Sequence, residues 1–154
     1  MSEAMEHSFY LMGFMAMAMM VLLILAFVPA FIYTGPAEWM ESPVTRMFGH
    51  VCHQQLDRMF QVGSSFPAVC SRCTGIYMGI MLGLWGVAGS MMRNNTGILP
   101  KSPVVKFIIV VTFFIGIDIL AQWINLWEGS NGQRAILGLI WGVSVVSIFV
   151  TRNK

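Results

Sequence analysis

Charge is what this chain has least of. Only 10% of its 154 residues are Asp, Glu, Lys or Arg, against about 25% in an ordinary soluble domain. The formal net charge is +2, and no basic run is present, which excludes nucleic acid as a partner. A basic N-terminal flank is also missing. Glu3 and Glu6 precede the first apolar run, and that run exceeds the roughly 7–15 residues of a signal-peptide core, so a cleaved leader is not expected. Cysteine and histidine are scarce, three of each, yet all the cysteines and two of the histidines fall in one short stretch.

What is present in quantity is apolar surface. The chain is 56% hydrophobic with a mean hydropathy of +0.71. This composition places residues 1–154 in the lipid bilayer as one transmembrane domain. The fourteen methionines are read as flexible apolar filler in membrane helices, the alternative being thioether ligands for copper(I).

A spanning helix needs about 20 apolar residues. Four segments qualify: 9–33, 74–92, 107–127 and 135–151. The expected fold is all-α, a bundle of four transmembrane helices, with residues 34–73 forming a long outer segment. Arg93, Lys101, Lys106, Arg152 and Lys154 fall on one side of this topology, and Arg46, Arg58, Arg72 and Arg134 on the other. Every lysine is on the first side. The opposite arginines have Glu38, Glu41, Asp57 and Glu128 for company. By the positive-inside rule both termini are expected in the cytoplasm and the cysteine segment outside it. Gly75, Gly79 and Gly83 recur every fourth residue, as do Gly138 and Gly142, a spacing that lets membrane helices approach closely.

In the outer segment Ser42-Pro43 reads as a helix start and Gly63-Ser64-Ser65 as its end. Residues 44–61 separate on a helical wheel into a polar arc (Arg46, His50, His53, Gln54, Asp57, Arg58, Gln61) and an apolar arc (Val44, Phe48, Val51, Cys52, Leu56, Met59, Phe60). The expectation is an amphipathic helix on the outer side, lying on the membrane surface or capping the bundle. On that wheel Cys52 and His53 diverge by about 100°, so a joint role for the two requires a distorted helix. A solvated polar face is the plain reading of His50 and an open one for His53.

Cys70 and Cys73 form a Cys-x-x-Cys turn just before the second span. Cys52 can supply a third thiolate and His53 a fourth ligand, the number zinc prefers. On an oxidising membrane face Cys70 and Cys73 can instead form a disulfide. Deeper in, Asp118 is the one charge inside an expected span. An intramembrane carboxylate normally faces the bundle interior and marks function. Gln122 and Asn125 follow at i+4 and i+7 on its face, and Asn131 and Arg134 open the fourth span. Arg134 is the nearest plausible partner for Asp118 in sequence. A buried ion-pair network that fixes helix register is the structural alternative to a polar pocket.

Cys52-His53-Gln54 with Arg58, Cys70-Ser-Arg-Cys73-Thr-Gly-Ile-Tyr77-Met-Gly79, and Asp118-x-x-x-Gln122 followed by Asn131 and Arg134 together resemble a family of small predicted membrane proteins of unassigned function. The resemblance covers roughly residues 45–145. It departs at Ile119, where the family pattern has glycine, and at Ala121, where it has threonine. It implies that these residues form one site and implies no reaction.

The leading reading is therefore a membrane protein with a zinc or iron site at Cys52, Cys70, Cys73 and His53, above a polar pocket. Asp118, Arg58 and Arg134 are its candidate catalytic residues. Arg72, Tyr77, Gln122, Asn125 and Asn131 are its candidate ligand-binding residues. Two alternatives stand beside it. One is a thiol-disulfide oxidoreductase using Cys70 and Cys73 with a quinone partner. It is similar in layout to quinone-linked disulfide-forming enzymes and to vitamin K epoxide reductase, although this chain lacks a second cysteine pair. The other is a non-enzymatic subunit of a larger membrane complex.

Overall fold

The computed structural model describes residues 3–34, 36–92, 101–124, 126 and 128–151. Among these the protein is all-α. A long helix α1 (Glu3–Ile32) leads to two short ones, α2 (Pro36–Glu41) and α3 (Pro43–Gly49), and a single 3-10 turn at Leu56–Arg58. Three long helices follow: α4 (Ser71–Met92), α5 (Lys101–Trp123) and α6 (Asn131–Thr151). Two helical stretches, Phe9–Ile32 and Val105–Trp123, are long and apolar enough to cross a membrane. The helix of the expected third span ends at Trp123. Trp127, the end expected for that span, lies outside the described residues.

The tightest packing is between α4 and α6, and glycine makes it. A Cβ at Gly75 would overlap the carbonyl oxygen of Ala135, and one at Gly79 that of Leu139. Reciprocally, Cβ atoms at Gly138 and Gly142 would overlap the carbonyls of Arg72 and Ile76. The two backbones lie against each other with no side chain between them. Residue numbers rise together along the contact, so α4 and α6 run parallel. Along α1 they fall instead. Ala26 clusters with Ala68 and Val69 before α4, while Ala16 clusters with Leu84 and Val146. On α5, Gln122 meets Arg134 and Thr112 meets Trp141. Thus α1 and α5 run one way and α4 and α6 the other.

The outer segment corrects one expectation. The helix begins as the sequence suggests, with Ser42 preceding it and Pro43 in its first turn, but it ends at Gly49 instead of running to 61. Gln54 is the cause. It adopts a left-handed backbone conformation, φ 48°, which breaks any regular helix. Its side-chain amide then donates to the carbonyls of Thr45 at 2.6 Å and Ala68 at 2.8 Å. The break reassigns the apolar arc. Cys52 and Met59 are buried as expected, but Val51 is 65% exposed and Leu56 is exposed too. The Gly63-Ser64-Ser65 stretch is a tight turn bridged between Val62 and Ser65, with Gly63 at φ 62°.

The segment then docks on α1, where the Ala68 N–H donates to the Ala26 carbonyl at 2.6 Å. Pro29 lies one turn further along α1. Ala26 is six residues from the end of α1, a depth of about 9 Å at 1.5 Å per residue. The outer segment is therefore seated beside the helix ends and below their tips.

If the backbone contact of α4 and α6 holds the bundle together, adding one side chain to it forces the helices apart. Gly142→Val is expected to cost at least about 1–3 kcal/mol, read as a lowered unfolding midpoint in detergent. Gly86 on α4 has open space around its Cα. Gly86→Ala should be neutral or stabilising by up to about 1 kcal/mol.

Candidate metal centre and polar cleft

Cys52 leaves α3 through a turn in which its N–H donates to the Phe48 carbonyl at 2.9 Å. Cys70 and Cys73 bracket the first residues of α4. The Cys70 N–H donates to the Cys52 sulfur at 3.2 Å, and Thr74 secures the turn with a hydroxyl bond to the Cys70 carbonyl at 3.1 Å. The three sulfurs lie within 4.8 Å of one another, and all three thiols are free. Cys52 is buried, the other two half-buried. Ala26, Phe48, Ala68 and Val69 wall the group in, and Tyr77 packs against it. Hydrogen bonds from Cys52 and then Cys73 pull the Cys70 thiol well below its usual pKa, while Cys52 is pushed up, chiefly through its bond to Cys70.

The structure does not bring His53 to this group. It is exposed, and the cluster of ligand atoms consists of the three sulfurs alone. Once the helix breaks, Cys52 turns inward to the Ala26 cluster and its neighbour turns outward. His50 is exposed as well.

The two residues inside the Cys-x-x-Cys turn reach the other way. Ser71 donates to the Asn131 side-chain oxygen at 3.4 Å. Arg72 forms an ion pair with Asp118, and Gln122 donates to the same carboxylate oxygen at 2.8 Å. Arg134 does not pair with Asp118, contrary to the sequence expectation. It donates to Gln122 Oε1 and Asn131 Oδ1, each at 3.2 Å. The parallel contact explains the exchange. It holds Arg72 on α4 opposite the carboxylate and leaves Arg134 one turn nearer the helix ends. Asn131 closes the network by donating to the Met59 carbonyl at 2.7 Å. Asn125 lies outside the described residues.

Beyond this network opens a cleft of about 420 Å³, lined by Asp57, Arg58, Gln122, Glu128, Gly129, Ser130, Asn131 and Arg134. Asp118, Arg72 and Tyr77, expected in the pocket, are not in its lining. Asp57, Glu128, Gly129 and Ser130 were not foreseen as site residues. One signal for them lay in Ser130-x-x-Gln133. The Gln133 N–H donates to Ser130 Oγ at 3.2 Å, and the Ser130 N–H to Gln133 Oε1 at 3.0 Å. This reciprocal capping box fixes the start of α6 at the cleft edge.

The sequence profile of a family described as "Predicted membrane protein (DUF2085)" matches residues 52–148, beginning at the first cysteine of the trio. An uncharacterized protein of Methanocaldococcus jannaschii is 29% identical over 122 residues, 77% of this chain and 76% of that protein. A second uncharacterized protein, from Methanothermobacter thermautotrophicus, is 44% identical over 36 residues, 23% of this chain and 32% of its own. No solved structure matches the chain.

The Arg72–Asp118 pair is largely enclosed, its side chains 19% and 16% exposed, and removing one partner leaves the other charge stranded. Asp118→Asn is therefore expected to destabilise the protein by about 3–5 kcal/mol. Asp57→Asn should change stability by less than about 1 kcal/mol, because the Asp57–Arg58 pair is 3.6 Å apart and the Asp57 side chain is 73% exposed. Paired denaturation curves in one detergent check both. The family match over most of the chain settles its class: this protein belongs to the DUF2085 family of predicted membrane proteins.

Proposed function

We propose that this protein is a four-span membrane protein that binds one transition-metal ion, zinc or iron, through Cys52, Cys70 and Cys73. One observation carries the metal reading: three free thiols from two separate chain segments stand within 4.8 Å of one another. A zinc–sulfur bond is about 2.3 Å, so a bound ion needs the sulfurs only slightly closer. Three protein ligands leave a fourth position for water or a substrate, the arrangement of catalytic zinc sites as opposed to closed structural ones.

The four-span reading rests on helix direction. The apolar helices α1 and α5 run antiparallel to α4 and α6, with α1 packed on α4, α4 on α6 and α5 on α6. A bilayer crossed by the first two encloses the others as well. Up-down-up-down order brings the chain ends to one side, which the lysine distribution makes cytoplasmic. The cysteine trio and cleft then face the extracytoplasmic side. There Arg58, Arg134, Gln122 and Asn131 offer a small-molecule site beside the metal, while Asp118 acts by fixing Arg72 and Gln122.

A second reading draws on the same sulfurs. Cys70 and Cys73 can be oxidised to one disulfide, passing two protons and two electrons to a membrane quinone, with Cys52 close enough to resolve mixed disulfides. The chain has no further cysteine pair to relay electrons, which favours the metal reading.

Metal analysis and thiol counting on protein purified without chelator separate the two. The expected result is about one zinc or iron per chain, no disulfide, and loss of metal in Cys52→Ser, Cys70→Ser and Cys73→Ser. His53→Ala should keep its metal. A metal-free protein with a reducible Cys70–Cys73 bond would overturn the proposal in favour of thiol exchange.

A further inference from the structure

The cleft beside α6 has a charged floor that the protein itself leaves incompletely answered. Arg134 is only 7% exposed and Gln122 likewise. Among the described residues Arg134 has no carboxylate within 4.0 Å; its hydrogen bonds go to two neutral amide oxygens. A buried cation held only by amides is costly. The second arginine of the lining, Arg58, is half-buried, and its Nε is enclosed without a hydrogen-bond partner. That Nε lies 3.6 Å from the Asp57 carboxylate, the one ion pair Arg58 makes among the described residues, too long for a hydrogen bond and with Asp57 largely exposed. The N-terminus of α6, a 21-residue helix, opens on the same space through Gly129, Ser130 and Asn131, and its dipole adds partial positive charge. The acids of the lining, Asp57 and Glu128, are exposed at the rim.

A guanidinium fork matches the paired oxygens of a phosphate. The cleft's volume suits a small organic molecule better than a bare ion. We infer that it binds a small organic phosphate, with Arg134 at its floor and Arg58 closing on the anion from the side. This deepens the reading of the cleft as a small-molecule site. It does not depend on the metal, since no cysteine lines the cleft. The rim acids keep the overall field near neutral, so binding draws on floor geometry more than on long-range attraction. The phosphate could belong to a soluble ester or to a lipid head group lying at the membrane edge.

The test uses full-length protein and two probes. Inorganic phosphate is titrated calorimetrically in neutral detergent, with chloride as the control anion. Retention of phosphatidylglycerol over phosphatidylcholine is measured in nanodiscs holding both. Metal content is measured on the same preparations, so that failure of the cleft is distinguishable from failure of the cysteine site. Saturable phosphate binding supports a soluble ligand, and selective phosphatidylglycerol retention supports a lipid, provided Arg58→Gln weakens either by at least about tenfold, the scale of one charge-assisted hydrogen bond. Arg58→Lys should fall between, and Arg46→Gln on the exposed face of α3 should change nothing. Arg134→Gln should abolish binding where it folds; Arg58→Gln decides the matter where it does not. Absence of both activities in the wild type, or binding unchanged by Arg58→Gln, would overturn the inference.

Discussion

The side-by-side backbone contact of α4 and α6 is the constraint from which the rest follows. Glycines on both helices let carbonyl oxygens of one lie where side chains of the other would be. Because the helices run parallel, their N-termini arrive together at one end of the bundle, bringing Arg72 and Arg134 with them. Two positive dipole ends and two guanidinium groups in one place, one buried and one half-buried, are mutually repulsive. The antiparallel helix α5 supplies the remedy. It reaches that end with its C-terminal half, carrying Asp118 and Gln122. The carboxylate neutralises Arg72, and the amide bridges the carboxylate to Arg134. One acid on α5 is thus a consequence of parallel packing elsewhere.

The exposed surface fits a lipid solvent. Phe14, Phe31, Phe107, Phe113, Phe114 and Trp123 are each more than half exposed, on the two helices long and apolar enough to span. In water so many exposed aromatic and aliphatic side chains would form an aggregation-prone patch. In hydrocarbon they cost nothing, and packing then depends on close backbone contact and interhelical hydrogen bonds. Both are present here, in the glycine contact and in the Asp118 network. Helices α1 and α5 therefore present the surface a bilayer favours, in agreement with the family to which the chain belongs.

Features set by local spacing were legible in the sequence. The long helices follow from apolar run length, the glycine contact from its four-residue repeat, and the shared face of Asp118 and Gln122 from helical periodicity. The meeting of the three cysteines was suggested by residue chemistry alone. What could not be read depends on tertiary partners. The amphipathic pattern of 44–61 is real, but Gln54 finds two carbonyls, one of them fourteen residues away, and those bonds keep the helix from resuming beyond Gly49. His53 leaves the cluster for the same reason. Arg134 looked closer to Asp118 than Arg72 because sequence distance ignores the parallel register that carries Arg72 across. The cleft drew half its lining from Asp57, Glu128, Gly129 and Ser130, residues whose only local signal was a helix cap.

The Cys-x-x-Cys turn is two-sided, and that decides how the sulfurs are held. Its cysteines face α1 and Cys52; Ser71 and Arg72, between them, face α6 and α5. Each side restrains the other. The start of α4 cannot swing toward the sulfurs without breaking the Arg72–Asp118 pair, and cannot swing away without losing the Cys70 N–H bond to the Cys52 sulfur. Cys52 is fixed independently, by Gln54 gripping Thr45 and Ala68 and by Ala68 bonded to α1. Many small metal sites are assembled by the ion itself, and ligand convergence is then part of the binding free energy. Here a hydrogen bond and an ion pair hold the thiols together. For the proposed metal site, this arrangement means that little conformational freedom is left to lose on binding, so the cost of folding the chain around an ion would not count against affinity.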